Sequence, residues 1–204
     1  MPGWSAMATI HDTTLIPGKL DLLTAWLPRQ PWYRDHEGPP ALVRAGGFRL
    51  DDPAGEVGIE VLFVTDTAGG TTYAVPLAYR GAPLEDDRAL VGTSEHGVLG
   101  TRWFYDGAHD PVAVAQLAAL LTGQVIAAHQ TRSDTADPTV TGSWAGSGEP
   151  DGVEVVRVLD PVDPPEGNPP QGVVTAEVRL PDGTVVRRRV VVVRQAVSGG
   201  ASVA

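Results

Sequence analysis

The stretch EVGIEVLFVTDTAGGTTYAVPLAY, Glu56 to Tyr79, decides the fold class. Both halves are rich in β-branched and aromatic residues and TAGG between them is turn chemistry, so the stretch reads as a β-hairpin. In the second half Tyr73, Val75, Leu77 and Tyr79 share one face at period two, and Thr72, Ala74, Pro76 and Ala78 share the other. Pro76 has no N–H to donate to a ladder, which predicts an edge strand or a bulge at that point.

Working outward, ALVRAGGFRL at Ala41 to Leu50 supplies a strand before the hairpin, and LVGTSEHGVL with TRWFYDG supplies a second hairpin after it, bent at Gly100. PGKLDLLTAWL, Pro17 to Leu27, places Leu20, Leu23 and Leu27 on one helical face with Trp26 beside them, and Pro28 ends the run. A second helix is expected from Asp110, a capping carboxylate followed by Pro111 at the first helical position, through an alanine-rich run to about His129. Farther on, VEVVRVLD reads as a strand, PVDPPEGNPPQG is too proline-rich for helix or central strand, and VVTAEVRL with TVVRRRVVVVR forms a hairpin across PDG. The pattern predicts an α+β protein: a curved antiparallel sheet packed by two helices, with a C-terminal β-hairpin extension. The expected organisation is an N-terminal arm over 1–16, the α+β domain over 17–130, a flexible loop over 131–152, the β extension over 153–194 and a disordered tail over 195–204.

The chain of 204 residues has no cysteine, which removes disulfides, thiolate metal sites and cysteine nucleophiles, and its net charge of -10 opposes a nucleic-acid partner. No signal-peptide pattern or membrane-length apolar run is present, so a cytoplasmic location is expected. The dense basic run Arg187-Arg188-Arg189 lies inside a strand pattern and reads as a guard on an edge strand.

Chemistry-bearing motifs are sparse. GSWAGSGEP lacks the Gly-Lys-Ser/Thr ending of a phosphate-cradling loop, and no Gly-x-Ser-x-Gly elbow occurs. The five histidines are scattered singly, so no metal site and no cofactor are expected. The carboxylate pairs Asp51-Asp52 and Asp86-Asp87 sit in loops, where they are expected to be structural and solvated rather than general acids or bases. Asp106, His109 and Asp110 form a weak candidate site near a strand-to-helix turn, weighed against Asp110 as a helix cap and Asp106 as a turn residue.

One further stretch, LPRQPWYRDHEG at Leu27 to Gly38, follows the first helix and resembles the start of the maltokinase family, in which a helix ends in a Leu-x-x-Gln-Arg-Trp-Tyr signature. The likeness continues through GIEVLFVTDTAGGTTYAVPLAYRG, with a Tyr-x-Val-Pro-Leu segment, and through VGTSEHGVLGTRWFYDGAHDPVAVAQLAALL, with a Tyr-Asp motif before a helix. It spans about Leu20 to Ala128 and implies a cystatin-like N-terminal cap, which in that family packs on a kinase body. Pro31 stands where the family has arginine. The kinase class also needs a catalytic Asp, metal-binding Asn and Asp, and a lysine on a strand. The sole lysine here, Lys19, sits at the first helix, and the chain after Ala128 is expected to be too short and too rich in proline and glycine for a kinase body.

The resemblance therefore implies a non-catalytic relative of the cap, working in α-glucan or trehalose metabolism as a regulatory or docking partner of a separately encoded kinase or glucan-processing enzyme. A small-molecule binding module for a sugar or nucleotide, with its pocket on the concave side of the sheet, is the alternative. Trp32 and Tyr33 are expected to be buried against that side, each keeping a polar handle. The competing reading displays them with Arg29 and Arg34 as an interaction patch.

Overall fold

The computed structural model describes residues 15–132, 135–159 and 169–194. The expected arm before residue 15, most of the proline-rich stretch, the tail from 195 and His11 lie outside the described residues. The fold is α+β, built on a strongly curled antiparallel sheet of seven strands. These are β1 (Leu15–Ile16), β2 (Leu42–Leu50), β3 (Val57–Asp66), β4 (Thr71–Arg80), β5 (Leu90–His96), β6 (Gly100–Asp106) and β7 (Ala128–His129). They run in the order β1-β5-β6-β4-β3-β2-β7. The hairpin that decides the fold class is β3–β4, paired without slip from Val57↔Arg80 to Asp66↔Thr71. Gly100, at a φ of 70°, closes β5–β6.

Both faces of this sheet are covered, which explains why β3 is buried almost continuously instead of alternately. On one face, α1 (Lys19–Trp26) sets Leu23, Trp26 and Leu27 against Leu62, Val64, Tyr73, Val75, Leu77 and Phe104. The α-helix ends at Trp26, as the proline stop at Pro28 requires, and the chain passes into a 3-10 turn over Leu27–Arg29. On the other face lie α2 (Pro111–Leu121) and a second sheet, meeting Phe48, Ile59, Val61, Phe63, Ala74 and Ala78. The alternation read in β4 thus sends its large side chains to the α1 face and its small ones to the α2 face.

The second sheet holds β8 (Thr141–Trp144), β9 (Glu154–Val155), β10 (Gly172–Arg179) and β11 (Val185–Val193), in the order β8-β10-β11-β9. The C-terminal hairpin forms as read, with Val174, Ala176, Val178 and Val190 in the shared core. It extends the domain by packing on a face of the first sheet, not by adding a strand to its edge. β8 lies within the stretch read as a loop. The short β9 covers only Val191 and Val192, leaving the arginine-bearing half of β11 at an edge, as a guard strand requires.

Two local readings differ from the structure for identifiable reasons. The second helix ends at Leu121, not near His129: the Thr122 hydroxyl donates to the carbonyls of Ala118 and Ala119, and Gly123 follows at a φ of 76°. That is a left-handed helix ending, and it was legible as Thr-Gly. Pro76 lies on a central strand, yet at a gap in its pairing. Leu77 to Arg80 pair with β6, while Ala74 N–H donates to Arg157 carbonyl at 2.9 Å and Leu159 N–H to Thr72 carbonyl at 2.8 Å. Pro76 falls where one neighbour stops and the other begins, so its missing N–H costs no ladder bond.

β8 crosses the last turn of α2 at Gly142, where an added Cβ would collide with the Leu120 carbonyl oxygen. Gly142→Ala is expected to destabilise the protein by about 1–3 kcal/mol through overpacking against backbone that cannot yield. Urea denaturation checks this, and an unchanged midpoint would contradict the β8–α2 contact.

Candidate functional site

The 3-10 turn after α1 folds the signature stretch back on the sheet. Gln30 N–H donates to Leu27 carbonyl at 2.9 Å and Tyr33 N–H to Gln30 carbonyl at 3.1 Å. This brings the Trp32 ring within 5.7 Å of Trp26 and 5.9 Å of Tyr73, and stacks Tyr33 on Tyr73 at 5.6 Å. Trp32 and Tyr33 are half-buried against the α1-side core, while Arg29 and Arg34 are exposed. The burial reading holds in part: the rings seal the layer and still leave surface between the two arginines.

The polar handle of Tyr33 is Asp66, at the end of β3. Its fully buried carboxylate accepts from Tyr33 Oη at 2.8 Å, His36 Nε2 at 2.7 Å, Ala41 N at 2.9 Å and Ala68 N at 3.2 Å. Burial alone would raise the Asp66 pKa, but the donors, Ala41 N–H first and then His36 and Tyr33, outweigh it and hold the carboxyl below its ordinary value. Asp66 in turn helps to raise the Tyr33 phenol, second to burial.

Asp106, His109 and Asp110 are adjacent in the structure, but each acid already has its partners. Asp110 is fully buried, caps α2 by accepting from Val112 N at 2.9 Å and Ala113 N at 3.1 Å, and is gripped by Arg80 through Nε at 2.8 Å and Nη2 at 3.0 Å. Asp106 accepts from Ala108 N at 3.1 Å and from Arg157 Nη2 at 2.6 Å. His109 is exposed, with Nε2 at 3.9 Å from Asp106. It borders an open cleft of about 660 Å³ lined also by Leu84, Asp86, Arg88, Tyr105 and Pro111. Of the paired carboxylates, Asp86 is held by Arg88 with its pKa lowered to about 2, and Asp52 caps its own loop through the amides of Ala54, Glu56 and Val57.

Arg157 joins the two sets of residues. Its guanidinium lies over the Trp32 ring, 4.9 Å from the centroid, while its Nη2 bonds Asp106. Nothing in the sequence paired residue 157 with residue 32, since the link depends on how the second sheet returns to β4. Sequence reading also missed a buried pair on the α1 face. Lys19 Nζ bonds Glu60, a carboxylate that is 3 % exposed on β3 and also accepts from Gln130 Nε2 at 2.7 Å. Burial would raise the Glu60 pKa, yet Lys19, Gln130 and Arg44 together lower it. The near-continuous apolar run around Glu60, from Ile59 to Val64, was the one available signal, because it places a charge where a core side chain belongs. Among the described residues α1 packs on one face of the first sheet, and α2 with the second sheet packs on the other.

Among the described residues no three His, Asp or Glu side chains converge to hold a metal ion, and no helix is long and apolar enough to cross a membrane. No curated protein and no solved structure matches the chain. Residues 26–110, from Trp26 in α1 to the Asp110 cap of α2, match the maltokinase N-terminal cap domain, and this supports the family resemblance carried by the Trp32-Tyr33, Tyr-x-Val-Pro-Leu and Tyr105-Asp106 motifs.

Proposed function

We propose that the chain is a non-catalytic, maltokinase-cap-like protein of the cytoplasm, and that it docks on a separately encoded kinase or glucan-processing enzyme of α-glucan or trehalose metabolism. The observation that carries this reading is the match over residues 26–110 to a domain that normally sits with a kinase body. The docking face is the one bearing Arg29, Trp32, Tyr33 and Arg34, where half-buried aromatics lie between exposed arginines, the composition that interfaces favour. A docking role also suits the strand-to-helix turn, because Asp106 and Asp110 are committed to Arg157, Arg80 and backbone amides and offer no poised acid or base.

The test is affinity capture from the source cells with the wild-type chain and with the double variant R29E/R34E, followed by mass spectrometry. A sugar kinase or α-glucan enzyme is expected with the wild type and lost with the variant. Recovery of such an enzyme equally by both, or by neither, would overturn the reading.

A further inference from the structure

His36 follows the signature aromatics, and its side chain is 16 % exposed. Both of its ring nitrogens face oxygen acceptors: Nε2 lies 2.7 Å from Asp66 Oδ2, and Nδ1 lies 3.1 Å from the Glu37 carbonyl. A neutral imidazole has one N–H and would turn a lone pair toward one of these oxygens, whereas the imidazolium donates to both. The ring also lies against Gly69 in the β3–β4 turn, where any Cβ would meet its Cδ2 at 2.6 Å. Asp66 spends its second oxygen on Ala41 and Ala68, so one carboxylate ties both ends of the 33–41 segment to that turn.

We infer that the doubly protonated ring of His36 is a latch holding the 33–41 segment against the β3–β4 turn, and that loss of its proton opens that segment. The charged and titratable groups around the ring all fit a cation. From its own segment these are the Tyr33 hydroxyl at 3.0 Å and the carboxylate of Asp35, which accepts from the His36 amide. From β3 there is Asp66, and from β4 the Tyr73 hydroxyl, one step away and already accepting from Arg34 N–H. The turn at Gly69 brings no charge.

The bond to Asp66 comes first among the causes that raise the His36 pKa, followed by the bond to the Glu37 carbonyl, and together they outweigh burial. A histidine whose folded pKa is raised contributes fully below its unfolded value, about 6.5, and loses that contribution as pH rises through the folded value. Asp66, being lowered, sets the acid limit: its share is lost only as pH falls through a folded value below the ordinary carboxylate range. The latch is therefore closed across the mildly acidic range and opens on the alkaline side.

This inference stands apart from the docking reading, since it concerns the chain alone. The test follows the His36 Cε1–H resonance by NMR between about pH 5 and pH 9, together with amide hydrogen exchange at Arg34 and Ala41, corrected for intrinsic rates. His36 is expected to titrate above 6.5, with protection at both amides falling in step, about tenfold for each unit by which its pKa exceeds the unfolded value. H36Q keeps a side-chain donor without a titration, so its protection at these amides should be flat over the same range. Titration of His36 at or below 6.5, or protection that falls equally in H36Q, would overturn the latch.

Discussion

Lys19→Met is expected to lower stability by about 3–5 kcal/mol at neutral pH, because it leaves the Glu60 carboxylate buried without its ammonium partner. Methionine keeps most of the aliphatic stem and removes the ammonium that bonds Glu60 and lies 5.0 Å over the Tyr79 ring, so the loss reports the charge and not a cavity. The pH dependence separates this from a packing defect. In the wild type Glu60 has a lowered pKa, so its contribution is present above the ordinary glutamate value and fades as pH falls through the folded one. In K19M the carboxyl keeps only Gln130 and, at 3.7 Å, Arg44, so burial, which favours the protonated form, weighs more and acidification should shrink the deficit. Urea denaturation at neutral pH and near pH 5 reads both effects. The double variant K19M/E60Q should recover most of the loss, since an amide can still accept from Gln130. A K19M deficit that stays constant with pH would show that Glu60 is not the residue responsible.

Asp110→Ala is the second large effect. It removes the cap of α2, worth about 1 kcal/mol, and also strands the half-buried Arg80 without the carboxylate that grips it twice. The combined loss is expected near 3–5 kcal/mol, which for a chain of this size lowers the melting temperature by roughly 6–20 °C. Asp110→Asn retains a capping oxygen and should recover the cap's share. If D110A costs no more than an exposed cap, the Arg80 clamp contributes nothing and Asp110 regains its place as a candidate for chemistry.

The sequence made the sheet legible because its strands carry unambiguous local signals: period-two alternation in β4, a glycine turn before it and Gly100 after β5. Asp110 was legible as a cap for the same reason, since capping is decided within three residues. What stayed hidden is long-range. Lys19 and Glu60 lie 41 residues apart and Arg157 and Asp106 lie 51 apart, and no local pattern names such partners. Trp32 was foreseen as sealing the layer, yet the guanidinium on its ring comes from a stretch beyond the matched segment. The helix overrun past Leu121 has a different origin: alanine-rich composition favoured continuation, and the Thr122-Gly123 stop was outweighed by it.

The two-part completion of β4 has a practical consequence for anyone who cuts this gene. A fragment ending at residue 110, where the family match ends, would lack Leu159 and Arg157, the backbone partners of Thr72 and Ala74, and would bare Ile59, Val61 and Phe63 to water. Homology marks one border and hydrogen bonding marks another, and expression boundaries belong at the second.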